Sequence, residues 1–281
     1  MSEPRTLAPP ERRLAEITEC RRLGAYSLIA AHDPDGPSDP QPGQFYMLAA
    51  GREWGGGHEE RPYLPRAFSF ARVRPRPDGG AELEFLLEDV GPGTHRLDAL
   101  SPGDPLALVG PLGVGFGVPA DGNEALLVGG GIGTAPLVCL QDELTARSGF
   151  APAVIVGFRS AAHAVAAGLF AGEVTVTTDD GSAGREGLVT EPLAEHLDRG
   201  RPATVYACGP PPMLEAVRAL CAERAVPAQL ALESGMACGY GACFGCVVPT
   251  LEGYIRLCID GPVIEAARLE SALVAGGGHQ G

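Results

Sequence analysis

Four thiols near the end of the chain have the types and spacing to carry electrons. They lie in Cys238-Gly-Tyr-Gly-Ala-Cys243-Phe-Gly-Cys246 and at Cys258, with gaps of four, two and eleven residues. Intervals of four and two with a more distant fourth thiol are the plant-type spacing for a [2Fe–2S] cluster, in which each iron takes two thiolates. Gly239, Gly241 and Gly245 give the loop the positive φ angles needed to wrap closely around inorganic sulfide. Structural zinc, a disulfide framework and ordinary buried cysteines are the competing readings. Zinc ligands usually come as CxxC pairs or mixed Cys/His sets, whereas this stretch has one CxxC and no neighbouring His. Disulfides suit secreted chains, and the first ten residues lack the apolar core of a signal peptide. Cys20, Cys139 and Cys221 are scattered and read as core residues or spectators.

Other stretches have the chemistry of nucleotide binding. Leu127-Val-Gly-Gly-Gly-Ile-Gly-Thr-Ala-Pro136 joins an apolar run to a helical one. Gly130, Gly131 and Gly133 let the backbone approach a pyrophosphate, and Thr134 is expected to cap the helix whose positive end faces the anion. The dinucleotide fingerprint is incomplete, because Pro136 stands where its third glycine belongs. Thr178-Asp-Asp-Gly-Ser182 and Ala207-Cys-Gly-Pro-Pro211 end two later apolar runs, at the edge where open α/β sheets bind ligands. There Cys208, Gly209 and Pro210 could border a nicotinamide ring without competing for its hydride. Upstream, Arg66-Ala67-Phe68-Ser69 sets a guanidinium suited to phosphate and a flat apolar face beside a hydroxyl suited to a ring heteroatom. Gly91-Pro-Gly-Thr-His95 offers backbone N–H groups and a hydroxyl, a nest for pyrophosphate. Each of these could equally be a strand-ending turn or a surface Arg.

Positioning such groups takes about two domains and a small module, which 281 residues can supply. Forty Gly and 26 Pro favour turns over long helices. No run nears the ~18 apolar residues of a membrane span, and free thiols without a secretion signal suit a reducing cytoplasm. A formal net charge of −14 argues against nucleic acid and anionic membranes as partners. Residues 1–11 read as a loose leader. Residues 12–119 read as all-β: short runs such as 44–48 and 82–87, parted by Gly/Pro/Asp turns, predict a small antiparallel barrel with a flexible insertion at 50–61. After a linker at 118–123, residues 120–228 alternate strands (124–128, 153–156, 173–177, 203–206) with helices (134–147, 161–170, 190–198, 211–225). That alternation predicts a multidomain β plus α/β chain whose second domain is a parallel sheet covered on both faces. Residues 229–265 form the cluster module and 266–281 a tail.

The succession RAFS, GPGT, GPLGVGF, GGGIGTAPL, TDDGS, CGP and CGYGACFGC resembles the ferredoxin-reductase-like flavoproteins. Within them it is similar to the electron transfer subunits of NAD-dependent dihydroorotate dehydrogenases, over nearly the whole chain. The resemblance implies a barrel that binds FAD, a sheet domain that binds NAD and a C-terminal [2Fe–2S] module. It assigns Arg66, Phe68 and Ser69 to the flavin, with Ala67 where the family has proline, and Leu86, Leu87 and Glu88 to a backbone stretch lining it. Gly93 and Thr94 fall on the pyrophosphate, and Cys238, Cys243, Cys246 and Cys258 on the cluster. It also implies a partner, an FMN-containing dihydroorotate dehydrogenase catalytic subunit, in a heterotetramer of two of each. Electrons would pass from it through the cluster and FAD to NAD⁺ in pyrimidine biosynthesis. No acid–base constellation is evident, which suits hydride exchange governed by alignment, and nothing resembles a phosphate-binding (β/α)₈ barrel for dihydroorotate. Two other readings stand beside this one. One is an NAD(P)H-dependent reductase subunit of sulfide dehydrogenase or ferredoxin:NADP oxidoreductase type, in which Arg159 either holds a 2′-phosphate or simply ends a strand. The other is a redox sensor, for which the sequence has no DNA-binding helix pair or basic patch.

Overall fold

Polar residues dominate the first strand, β1 (Arg12–Leu23), which buries little more than Ala15 and Ile17. β1 pairs with β2 (Tyr26–Asp33), and β3 (Phe45–Ala50), β4 (Arg66–Pro75), β5 (Ala81–Leu87) and β6 (Pro105–Leu112) complete a closed antiparallel barrel in the order β1-β2-β5-β4-β3-β6. Closure leaves no bare strand edge. Its interior is filled by Tyr46, Phe70 and Phe85, none of them exposed, with Tyr46 edge-on to both phenyl rings at 6.0 and 5.9 Å. Between β5 and β6 lies the short helix α1 (Pro92–Asp98). The computed structural model describes residues 10–52, 54, 64–119, 122–149 and 151–274. Most of the expected leader, most of the 50–61 insertion, residues 120 and 121 of the expected linker and the end of the tail lie outside these.

The second domain follows the predicted alternation. β7 (Glu124–Gly130), α2 (Thr134–Ser148), β8 (Ala153–Phe158), α3 (Ala161–Ala164), β9 (Val174–Thr178), β10 (Arg185–Glu186), α4 (Thr190–Leu197), β11 (Ala203–Cys208), α5 (Pro211–Glu223) and β12 (Ala228–Ala231) build a parallel sheet. The single helix expected over 161–170 breaks after Ala164 into a tighter turn, Val165–Leu169, in a stretch that Gly168 makes a weak helix former.

Beyond β12 the chain forms the hairpin of β13 (Val247–Thr250) and β14 (Gly253–Arg256), then α6 (Leu257–Asp260) and β15 (Val263–Glu265). β15 returns to the sheet and pairs antiparallel with β12, giving the order β10-β9-β8-β7-β11-β12-β15. The sheet thus takes both strands from the stretch read as the cluster module, because that module leaves β12 and comes back beside it.

The domains share apolar cores. α2 packs on β4, and Tyr26, Leu28, Ala71 and Leu86 of the barrel join Ala135, Leu137 and Val138 of α2. Met47, Val109 and Leu112 of the barrel join Cys246, Val248, Leu257 and Cys258. Each large side chain so buried contributes roughly 1.5–3 kcal/mol, so packing, rather than the linker, sets how the domains meet. Arg72 Nε donates to Asp142 Oδ2 across the same seam at 3.0 Å. Among the described residues no helix is long and apolar enough to cross a membrane.

Candidate cofactor sites

A cavity of about 400 Å³ opens between barrel and sheet. Arg66, Ala67, Phe68 and Ser69 line it from the start of β4, Leu86 and Glu88 from the end of β5, and Thr94 from α1. Gly133 and Cys208 line it from the sheet domain. Residues expected to hold two different ligands therefore face one space. Leu87, Gly93, Gly130, Gly131, Thr134, Gly209 and Pro210 do not line it. Leu87 alternates into the barrel core.

Gly93 has a steric role. A Cβ there would stand 2.7 Å from the Arg66 guanidinium carbon, so a larger residue would push the guanidinium off the first turn of α1. Arg66 Nη1 also donates to the Leu64 carbonyl at 2.6 Å. The nest expected at 91–95 is instead the start of a helix, and Pro92 has no N–H to offer. The Thr94 hydroxyl accepts from the N–H groups of Val90 and Gly91 at 2.9 and 3.0 Å and donates to the Gly91 carbonyl at 2.9 Å. It braces the turn that carries Gly93. The cradle that glycine leaves beside an aimed guanidinium fits a phosphate-bearing flavin cofactor. Arg66→Ala is expected to weaken FAD retention about ten- to a hundredfold, the worth of roughly 1.5–3 kcal/mol for a charge-assisted contact. Arg66→Lys should recover part of it, since Lys lacks the planar fork. Equilibrium dialysis of flavin checks this, and unchanged retention in the Ala variant would make Arg66 a surface residue.

In the sheet domain the β7–α2 turn is pressed against the β11–α5 turn. A Cβ on Gly133 would lie 2.6 Å from both the Cys208 carbonyl oxygen and the Gly209 nitrogen, and one on Gly130 would lie 2.5 Å from Met213 Sδ. This close approach of two glycine-bearing backbones at the carboxyl edge of the sheet fits a dinucleotide. Thr134 does not cap α2 as expected. It is the first helical residue, wholly buried, and its hydroxyl donates to the Gly131 carbonyl at 3.0 Å. Pro136, which interrupts the fingerprint, sits in the first turn of α2, where no N–H partner is lost, and lines the cavity. Burial, then the nearby Glu233 charge, pushes the Cys208 thiol well up, so it stays neutral beside the cavity. Glu233 itself lines the cavity with its carboxyl raised by burial. Sequence reading missed it, although its place just past β12, at the same sheet edge as Cys208, was a usable signal. The Thr178–Ser182 turn does not line the cavity; the Asp180 carboxylate accepts from Ser182 N at 3.0 Å, and Ser182 Oγ accepts from Ala161 N at 2.7 Å. Arg159 forms an ion pair with Glu88 of the barrel and bonds His163 at 2.9 Å, so its guanidinium is already engaged.

The four thiols fall into two pairs. Cys246 Sγ lies 3.2 Å from Cys258 Sγ, and the Cys243 side chain is among the neighbours that lower the pKa of Cys238, so those two stand beside each other. Among the described residues no three His, Cys, Asp or Glu side chains gather around one point as a single ion requires. Two pairs give two irons two thiolates each, which fits the donor set of a [2Fe–2S] cluster. Backbone N–H groups point at the sulfurs: Gly241 N lies 3.1 Å from Cys258 Sγ and Gly245 N 3.4 Å from Cys243 Sγ. Burial opposes ionisation of Cys238, but the N–H groups of Cys243, Tyr240 and Ala242 outweigh it and bring the pKa down to about 7. Gly239 and Gly241, at φ 82° and 83°, allow this wrapping.

A closed barrel sharing one cavity with a parallel nucleotide-type sheet, and a paired-thiol loop beside them, define a reductase of the ferredoxin-reductase type. A solved structure of an NADH-dependent reduced ferredoxin-NADP oxidoreductase, studied for flavin-based electron bifurcation, superposes with a TM-score of 0.75 at 27% identity, covering 92% of this chain and 90% of that one. The ferredoxin reductase in carbazole 1,9a-dioxygenase does so at 0.65 and 25%, over 78% and 67%. Residues 233–270 match the family model of the iron-sulfur cluster binding domain of dihydroorotate dehydrogenase B. The dihydroorotate dehydrogenase B (NAD(+)), electron transfer subunit, of Caldanaerobacter subterraneus subsp. tengcongensis is 37% identical over 231 residues, 81% of this chain and 86% of that protein. The protein of the same description from Geobacillus kaustophilus is 40% identical over 240 residues, 82% and 86%. The chain belongs to this family of electron transfer subunits.

Proposed function

We infer that the chain carries electrons from an FMN-containing dihydroorotate dehydrogenase subunit to NAD⁺ in pyrimidine biosynthesis. FAD and a [2Fe–2S] cluster supply the redox chemistry, and the protein supplies binding and alignment. The observation that carries this reading is the single cavity that the flavin-type residues of β4, β5 and α1 share with the turns at Gly133 and Cys208. Residues 12–119 form the FAD domain, 120–228 the NAD domain and 229–265 the cluster module. Arg66 holds phosphate, Phe68 and Ser69 face the flavin ring with Ala67 between them, and Leu86, Leu87 and Glu88 line it through the backbone. Gly93 and Thr94 shape the pyrophosphate seat. Gly130, Gly131, Gly133 and Thr134 with Cys208, Gly209 and Pro210 receive NAD. Cys238, Cys243, Cys246 and Cys258 hold the cluster. The names of the relatives support this reading over a reductase subunit of another redox complex. The assembly is two of each subunit, working in the cytoplasm.

Tyr240 and Phe244, in the cluster loop, are exposed (47% and 62% accessible), large apolar groups suited to burial against the partner. The isolated holo-chain should oxidise NADH with ferricyanide yet show no turnover with dihydroorotate. Adding the FMN subunit should confer dihydroorotate-dependent NAD⁺ reduction. Oxidation of dihydroorotate by the lone chain would overturn the assignment.

A further inference from the structure

Arg256, at the end of β14, has two side-chain contacts that converge on the cluster loop and a backbone anchor outside it. Its Nη1 donates to the Gly241 carbonyl at 3.0 Å, and its guanidinium carbon lies 5.1 Å from the centroid of the Phe244 ring. Its backbone N–H is held by Asp260 Oδ2 at 2.9 Å, which fixes where the side chain starts. The guanidinium is thus engaged by a carbonyl oxygen and a ring face rather than by a carboxylate. The Gly241 carbonyl lies in the loop between Cys238 and Cys243. The N–H of Gly241 reaches Cys258 Sγ at 3.1 Å. One cation is therefore held on the residue whose own N–H donates to Cys258. A Cβ on Gly241 would meet Arg256 Nη1 at 3.2 Å and Ile259 Cγ1 at 2.8 Å, and Phe244 holds a positive φ of 59°. The loop is shaped around this side chain.

We propose that Arg256 is a positioning residue that raises the reduction potential of the cluster through its own charge, held at the cluster loop by the Gly241 carbonyl and the Phe244 ring. The potential of an iron–sulfur centre rises with hydrogen bonds to its sulfurs and with nearby positive charge, because both favour the more negative, reduced form. Arg256→Met removes the charge and the donor while keeping length and apolar contact with Phe244. Arg256→Lys keeps the charge and a donor. This inference rests on the cluster reading above, and the test separates the two.

Iron and acid-labile sulfide are measured first in the wild-type holo-chain; their absence there refutes the cluster, not the role of Arg256. The cluster potential is then read by EPR in a dithionite titration. The Met variant should be more reducing, with the reduced-to-oxidised ratio at fixed potential falling about three- to tenfold, or roughly 30–60 mV for one electron. The Lys variant should stay near wild type. A Met variant with full cluster and unchanged potential overturns the proposal and leaves Arg256 a purely structural pin. If the Met variant holds no cluster, retention by Lys but not by Arg256→Gln supports the need for charge, whereas loss in all three, or retention by Gln, overturns it.

Discussion

Cys243→Ser is expected to leave a protein that keeps its FAD and has no [2Fe–2S] cluster. Cys243 is the exposed member of the four, and exposed substitutions usually change stability by less than about 0.5 kcal/mol. A hydroxyl is a harder, far weaker ligand for iron than a thiolate. The flavin-type residues sit on β4, β5 and α1, outside the loop. Wild-type protein purified without oxygen should contain about two irons and two acid-labile sulfides per chain, and the variant almost none, at equal flavin content. In complex with the FMN subunit, dihydroorotate-dependent NAD⁺ reduction should vanish while NADH oxidation by ferricyanide persists. Stoichiometric zinc without sulfide in the wild type would end the cluster reading.

Gly133→Ala should damage both the stability of the sheet domain and its hold on NAD. The added carbon would lie 2.6 Å from two backbone atoms of the β11–α5 turn. Backbone cannot swing aside as a flexible side-chain end does, so the two turns must separate. Overpacking of this kind costs about 1–3 kcal/mol, and the geometry that receives NAD opens with it. A lower melting temperature and a KM for NADH raised at least about tenfold, the equivalent of 1.4 kcal/mol, are the expected results at unchanged flavin content. Gly168→Ala, where a Cβ meets nothing within 4 Å, is the control. Identical behaviour of the two variants would show that the turns do not depend on their close approach.

What sequence could and could not supply follows from how local each signal is. Cluster ligation is set by short intervals between Cys238, Cys243 and Cys246, and the helices and strands of the second domain by periodicities of a few residues. Both are legible in a single line of letters. Thr134 was misread as a cap because a hydroxyl at the start of a helix can bond forward or back into the preceding turn, and only the backbone decides. Glu233 and the meeting of Arg66 with Cys208 on one cavity depend on contacts between residues more than a hundred positions apart, which no periodicity encodes.

The return of β15 to the side of β12 has a consequence for anyone shortening this protein. Everything from residue 232 to 262 is an excursion between two adjacent strands. Its ends are clasped by the sheet, so the cost of closing the loop, which grows only with the logarithm of its length, does not fall on the iron and sulfide. β12 is buried along its whole length. A chain ended just after it would not be a simple two-cofactor reductase without a cluster. It would expose the N–H and C=O row of an apolar strand, a ready template for a second molecule, and trade an electron carrier for a sticky edge.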